Sequence, residues 1–126
     1  MVEIRRSTIE DIKHFFGHRH KNSMRAYTAV LDGEPVGVAG IYYDGVRIIA
    51  FSIANEEARK KYKFAVYKMA KKVVDILQER NIIAYAIADP EIEGSDKLLR
   101  HLGFNYVGPC KEGEVYQWNP EELRRV

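Results

Sequence analysis

The sequence predicts an α+β domain: a mixed, twisted β-sheet with a central β-α-β crossover and flanking helices. Three observations carry this. Between residues 25 and 54, three strand-like runs follow one another, separated only by the tight turns DGEP (32–35) and Asp44-Gly45, the pattern of an antiparallel meander. From Tyr62 to Leu77 the spacing changes, and Tyr62, Val66, Met69, Ala70, Val73 and Leu77 recur at three and four residues as the apolar stripe of one long helix. Next comes IIAYAIA (82–88), a nearly continuous apolar run of the kind expected for a central strand buried on both faces. A strand–helix–strand unit of this sort crosses over right-handed and makes its two strands parallel.

The remaining elements fall in around this core. VEIRRS (2–7) reads as a first strand, and Ser7 or Thr8 then offers an N-cap to IEDIKHFF (9–16), where Ile9, Ile12, Phe15 and Phe16 keep helical spacing. GHRHKNSM (17–24) is a polar connection to RAYTAVL (25–31), followed by VGVAGIYY (36–43) and VRIIAFSIA (46–54). In the long helix Lys68, Lys71, Lys72 and Asp75 lie opposite the apolar stripe; Phe64 lies there too, so the regular helix is expected to begin near it. DPEIEGS (89–95) is a loop, Ser95 or Asp96 caps DKLLRHL (96–102), and Gly103 stops that helix. FNYVGPC (104–110) and EVYQWN (114–119) form a closing hairpin. The order is β-α-β-β-β-α-β-α-β-β over one domain, residues 1–126, with no internal repeat.

Composition bounds the function classes. A chain of 126 residues, 46% hydrophobic and 30% charged, can bury a core without staples. One cysteine, Cys110, permits neither an intrachain disulfide nor a cysteine-based zinc site, which fits a reducing cytoplasm. His18 and His20 alone are too few ligands for zinc, so no metal is expected. The first residues carry charges throughout, unlike a signal peptide, and no apolar run approaches the ~20 residues of a membrane span. A net charge of +2 is small for a dedicated nucleic-acid binder. The charge is instead concentrated: seven of the fifteen residues in ARKKYKFAVYKMAKK (58–72) are Lys or Arg and none is acidic.

The element order resembles the Gcn5-related N-acetyltransferase (GNAT) family over nearly the whole chain. VEIRRSTIEDI is similar to the family's opening strand and helix start, DGEPVGVAGI to its second hairpin, and LLRHLGFNYVG to its ending, where Leu102-Gly103-Phe104 closes a short helix. The resemblance implies an acetyl-CoA-dependent transfer of an acetyl group to an amine. It also implies that the segment before the long helix grips the cofactor's pyrophosphate through Arg/Gln-x-x-Gly-x-Gly/Ala, where a helix N-terminus favours an anion. RKKYKFAV lacks the glycines: a start at Arg59 places Tyr62 and Phe64 there, one at Lys60 places Lys63 and Ala65, and one at Lys61 places Phe64 and Val66. Side-chain charges from Arg59, Lys60, Lys61 and Lys63 would take over as point contacts to phosphate; Lys68, Lys71 and Lys72 read as an ordinary solvated face. Lys/Arg-aromatic-Lys/Arg before the long helix also resembles small phage-encoded members of this fold.

The same resemblance assigns the other roles. Phe51, Ser52 and Ile53, at the end of the fourth strand, would present a backbone edge to the cofactor. The family's usual tyrosine, the acid that protonates the departing thiolate, falls four residues before the glycine of the final Leu-Gly-Phe, where this chain has Leu99. Tyr85 and Tyr106 are the substitute candidates, against a packed-aromatic role for each, and His101 sits on the same helix but toward its outer face. Glu56, Glu57 and Asp89 are candidate bases, against caps or turn residues. His18, Arg19 and His20 are candidate contacts to the amine acceptor. The sequence therefore leans toward an N-acetyltransferase-like domain binding a CoA thioester and an amine. The alternative is a non-catalytic module of phage or mobile-element origin that grips a protein partner, with nucleic-acid binding ranked last.

Overall fold

The computed structural model describes residues 2–17, 23–88 and 94–121. They form β1 (Val2–Arg6), α1 (Ile9–Phe16), β2 (Met24–Leu31), β3 (Glu34–Asp44), β4 (Arg47–Ala54), α2 (Glu56–Lys61), α3 (Lys63–Arg80), β5 (Ala84–Ala88), α4 (Ser95–Leu102), β6 (Asn105–Cys110) and β7 (Gly113–Trp118). One mixed sheet runs in the order β1-β2-β3-β4-β5-β7-β6. Its parallel pair is β4–β5, joined through α3 as the spacing predicts; the other neighbours are antiparallel.

Turn chemistry sets the meander's register. Asp32 (φ 50°) and Gly33 (φ 83°) are both left-handed between the closing pair Leu31↔Glu34, as a type I′ hairpin requires. Gly40 is needed for close approach. A Cβ there would sit 2.2 Å from the Arg25 carbonyl oxygen.

α1 starts at Thr8, whose hydroxyl accepts from the Asp11 amide while the Asp11 carboxylate accepts from the Thr8 amide, a reciprocal capping box. Asp11 is 5% exposed. Its Oδ1 also accepts from Arg5 Nη2 at 3.1 Å and its Oδ2 from the Thr28 hydroxyl at 3.0 Å. Ser7 Oγ lies 2.7 Å from Thr28 Oγ1.

The main core lies on the α3 face of the sheet, where Met69, Val73 and Leu77 pack on Ala39, Ile41 and Trp118. A smaller cluster under α1 joins Ile12 to Ala26 and Val38, with Phe16, Phe51 and Ile53 against it.

Three expectations change. First, the fifth strand is buried on one face only: Ala84, Ala86 and Ala88 are covered, but Ile87 is 44% exposed. The cluster under α1 extends no farther than β4 among the described residues. Second, α4 begins at Ser95, with Gly94 (φ 84°) as N-cap and no side-chain cap. Third, a separate short helix, α2, precedes the long one. Asn55 caps it, its Oδ1 accepting from the Ala58 amide at 2.8 Å. Glu56 and Glu57 stand in its first turn and Arg59, Lys60 and Lys61 in its last, complementing the helix dipole. The chain breaks at Tyr62 (φ −124°, ψ 42°) before α3 starts.

Candidate active site

The site follows from how β4 and β5 part. Their register is held at Ile49↔Tyr85; beyond it a cleft of about 1230 Å³ opens, with Ala50, Ala54, Ala70, Ala86 and Ala88 among its lining residues. Small side chains keep this space open. On β4, the pair Asp44↔Arg47 closes a two-residue hairpin around Gly45 (φ 62°), so Arg47 and every second residue after it exchange hydrogen bonds with β3. The Asn55 amide continues that series to the Val36 carbonyl at 3.0 Å. The amides of Phe51 and Ile53 are therefore directed at β3, while those of Ala50, Ser52 and Ala54 face the gap toward β5. Ser52 is the exposed one of the three.

Cations border the cleft from two sides. Arg59, Lys60 and Lys63 line it from α2 and the start of α3, and Lys97 and Arg100 from α4. They are not equivalent. Lys60 is held by Glu56 at 2.6 Å, and that hydrogen bond draws the Glu56 carboxyl below its ordinary value. Lys61 lies outside the cleft, 3.8 Å from Glu57. Arg59 and Lys63 form no ion pair among the described residues. Of the four cations between residues 59 and 63, Lys60 and Lys61 thus answer carboxylates of α2 itself, and Arg59 and Lys63 are presented to the cleft.

α2 also changes how an anion would be held. The Arg59 amide donates to the Asn55 carbonyl and the Tyr62 amide to that of Ala58, at 3.1 and 2.9 Å. Those donors are used within the helix. Tyr62 gives α3 no side-chain cap, so first-turn amides there and the side chains of Arg59 and Lys63 are the groups that suit a phosphate. The residues therefore fit an extended polyanionic cofactor such as acetyl-CoA, through side-chain charge more than through glycine-enabled backbone approach.

The candidate proton carriers separate by face. Tyr85 is not in the cleft: its hydroxyl accepts from Gln117 Nε2 at 3.1 Å on the opposite side of the sheet. Tyr106 lines the cleft, and its Oη donates to Glu114 Oε2 at 2.6 Å. Leu99 lines it too, half-buried and packed on the core. His101 is exposed, with its ring 5.4 Å from that of Tyr67. His18, Arg19, His20 and Asp89 lie outside the described residues. Lys97, Arg100 and Glu114 join the cleft beyond the residues that the sequence predicts. Lys97 and Arg100 were legible as an i,i+3 pair on the helix of Leu99. Glu114 had no such signal.

No family model matches the sequence, and no curated protein matches it in sequence. The fold, by contrast, is shared with solved acetyltransferases. A GNAT-family acetyltransferase from Staphylococcus aureus Mu50 superposes with a TM-score of 0.69 at 15% identity, over 95% of this chain and 99% of that one. The aminoglycoside acetyltransferase AAC(6')-Ib in complex with coenzyme A gives 0.67 at 18%, over 100% and 99%. The ribosomal-protein-S18-alanine N-acetyltransferase of Escherichia coli gives 0.67 at 12%, over 93% and 91%. The seven-stranded mixed sheet with its four described helices is the GNAT fold. No described helix is long and apolar enough to cross a membrane.

Proposed function

We propose that this GNAT-fold chain is an acetyl-CoA-dependent N-acetyltransferase acting on an amine. The observation that carries the reading is the open edge of β4 beside the uncapped start of α3, within a cleft where Arg59 and Lys63 have no ion-pair partner among the described residues. Acetyl-CoA would supply the activated acetyl thioester. Arg59 and Lys63, with Lys97 and Arg100 across the cleft, would neutralise its phosphates; Ser52 would offer its backbone amide to the acyl arm. The alanine lining leaves room for an extended chain. Similarity to an S18-alanine acetyltransferase and to an aminoglycoside acetyltransferase supports an amine acceptor in the broad sense.

Calorimetric titration of the full chain with CoA and acetyl-CoA tests this. Saturable binding of one ligand per chain, weakened by salt, is expected. No binding of either would overturn the reading. It would favour a second one, a non-catalytic module of phage or mobile-element origin, which Leu99 in the cleft supports because it puts a methyl group where the family keeps a hydroxyl.

A further inference from the structure

The hairpin β6–β7 brings together two side chains that regular strand pairing would keep apart. Pro109 pairs with Glu114 and Gly108 with Val115, but then Tyr106, not Val107, pairs with Tyr116. Unbroken alternation from the turn would set Val107 opposite Tyr116 on the cleft face and send Tyr106 to the other face beside Gln117. The bulge at Val107 reverses this. Val107 is pushed outward, 58% exposed, and Tyr106 reaches Glu114 across the cleft face at 2.6 Å. Re-aiming one side chain is a recurrent use of a bulge beside a site. The Tyr116 ring meets that of Tyr106 edge-on at 5.5 Å, and the Arg100 guanidinium sits 5.4 Å over Tyr116, which ties the pair to α4.

The pair also stands at the right level. Glu114 pairs with Ala88. Carrying the parallel register Ile49↔Tyr85 onward along both strands sets Ala88 level with Ser52. Glu114 is thus abreast of the stretch of β4 whose amide edge faces the gap.

We propose that Tyr106 and Glu114 are the proton-transfer pair of this cleft, Glu114 receiving the proton of the acceptor amine and Tyr106 supplying one to the departing thiolate. The proposal rests on the acetyl-transfer reading above. As the C–N bond forms and the C–S bond breaks, the amine nitrogen loses a proton to Glu114. In the resting state Tyr106 donates to Glu114; once Glu114 is protonated the hydrogen bond reverses, the Tyr106 hydroxyl proton turns to sulfur and is transferred, and Tyr106 Oη takes the proton that Glu114 holds. One proton moves from nitrogen to sulfur, and both side chains end as they began. The hydrogen bond to Glu114 pushes the Tyr106 hydroxyl up from its ordinary value, with burial and the carboxylate charge adding to it, so Tyr106 has a proton to give at neutral pH. A hydroxyl at position 99 is then not required.

The test uses the full chain as wild type, Tyr106→Phe, Glu114→Gln and the double variant. Ring-labelled tyrosine NMR of the free protein reads the coupling without turnover: Glu114→Gln should lower the Tyr106 ionisation midpoint, and no change would overturn the proposal. Thiol release from acetyl-CoA, with water as the only acceptor, reads the chemistry. Either single variant should lose about 10²–10⁴-fold in kcat at nearly unchanged KM, and the double variant should be no slower than the slower single one, as for residues acting as a unit. Equal rates in wild type and variants, zero included, would overturn the pair, as would losses that multiply. CoA calorimetry separates the failures: binding with no kinetic difference sinks the pair alone, and no binding by wild type sinks the acetyl-transfer reading and the pair with it.

Discussion

At the β1–β2 end of the sheet, the carboxylate of Asp11 is 5% exposed and meets Arg5, the Thr8 amide and the Thr28 hydroxyl. Where β4 and β5 part in the middle of the sheet, Arg59 and Lys63 face a cleft of about 1230 Å³ with no ion-pair partner among the described residues. The first region satisfies its charge within the chain, so its free energy goes into folding. The second leaves charge available to something outside the chain. A substitution in the first region should move stability and leave binding alone, and a substitution in the second should do the reverse.

The largest effect is expected at Asp11. Asp11→Ala removes the carboxylate that accepts from Arg5, the Thr8 amide and the Thr28 hydroxyl and should cost about 3 kcal/mol, from hydrogen bonds to a buried charged group. Urea unfolding would report it as a lower midpoint at unchanged slope; CoA affinity of the folded fraction should stay the same. A large loss of CoA affinity with intact stability would erase the distinction between the two regions.

Acid should reproduce part of that loss. Burial alone would raise the Asp11 carboxyl, but the hydrogen bonds from Arg5, Thr8 and Thr28 and the Arg5 charge outweigh it and bring it from 3.8 to about 2. A carboxyl depressed in the folded state stabilises it at pH values above the unfolded pKa. That contribution, about 2 kcal/mol, should disappear as pH falls from ~4 toward ~2. Stability of Asp11→Ala should be flatter across the same window. Parallel acid profiles for the two proteins would remove Asp11 from this role.

These two regions differed as much in how far the sequence revealed them. The capping residue Thr8 and the apolar spacing of α1 are local patterns, and so is the stripe from Val66 to Leu77 that becomes α3; local patterns survive in one dimension. Asp11 as the centre of a network did not, because Thr28 joins it from another strand. α2 was hidden for a different reason. In one dimension its cations stand out as a basic run, whereas Lys60 and Lys61 answer Glu56 and Glu57 one turn earlier, a spacing that a run of like charges masks. The exposed face of β5 escaped because periodicity cannot report that α1 stops at β4. Tyr106 stands in the sequence as a candidate, but its meeting with Glu114 depends on a bulge, and one extra residue in a strand leaves no mark in the pattern.

Among the cleft cations, Arg59 and Lys63 together changed to Ala should weaken CoA binding about tenfold to thirtyfold, since charge-assisted contacts lose strength when exposed. The salt dependence of binding should flatten as well. Lys61→Ala, outside the cleft, should do neither, and both proteins should unfold within about 0.5 kcal/mol of wild type, as exposed substitutions do. If Lys61→Ala weakens CoA as much as the cleft pair does, a diffuse field is acting and the cleft has no site for phosphate.

The smallest effect sharpens the comparison inside the cleft itself. Leu99→Tyr places a hydroxyl on the α4 wall, at some cost from overpacking, about 1 kcal/mol, because Leu99 is half-buried against the core. If Tyr106 already supplies the proton to sulfur, a second donor has little left to do, and thiol release from acetyl-CoA should change no more than a few-fold. In a Tyr106→Phe background the same hydroxyl would replace a missing one, so Leu99→Tyr should recover part of the lost rate there while CoA affinity stays constant. The two backgrounds must therefore respond differently. A large acceleration by Leu99→Tyr in the wild-type background would mean that the cleft lacks an acid and that Tyr106 is bonded to Glu114 for structure alone. Equal and negligible responses in both would mean that proton delivery to sulfur does not limit the rate, leaving the bulge at Val107 without a catalytic purpose.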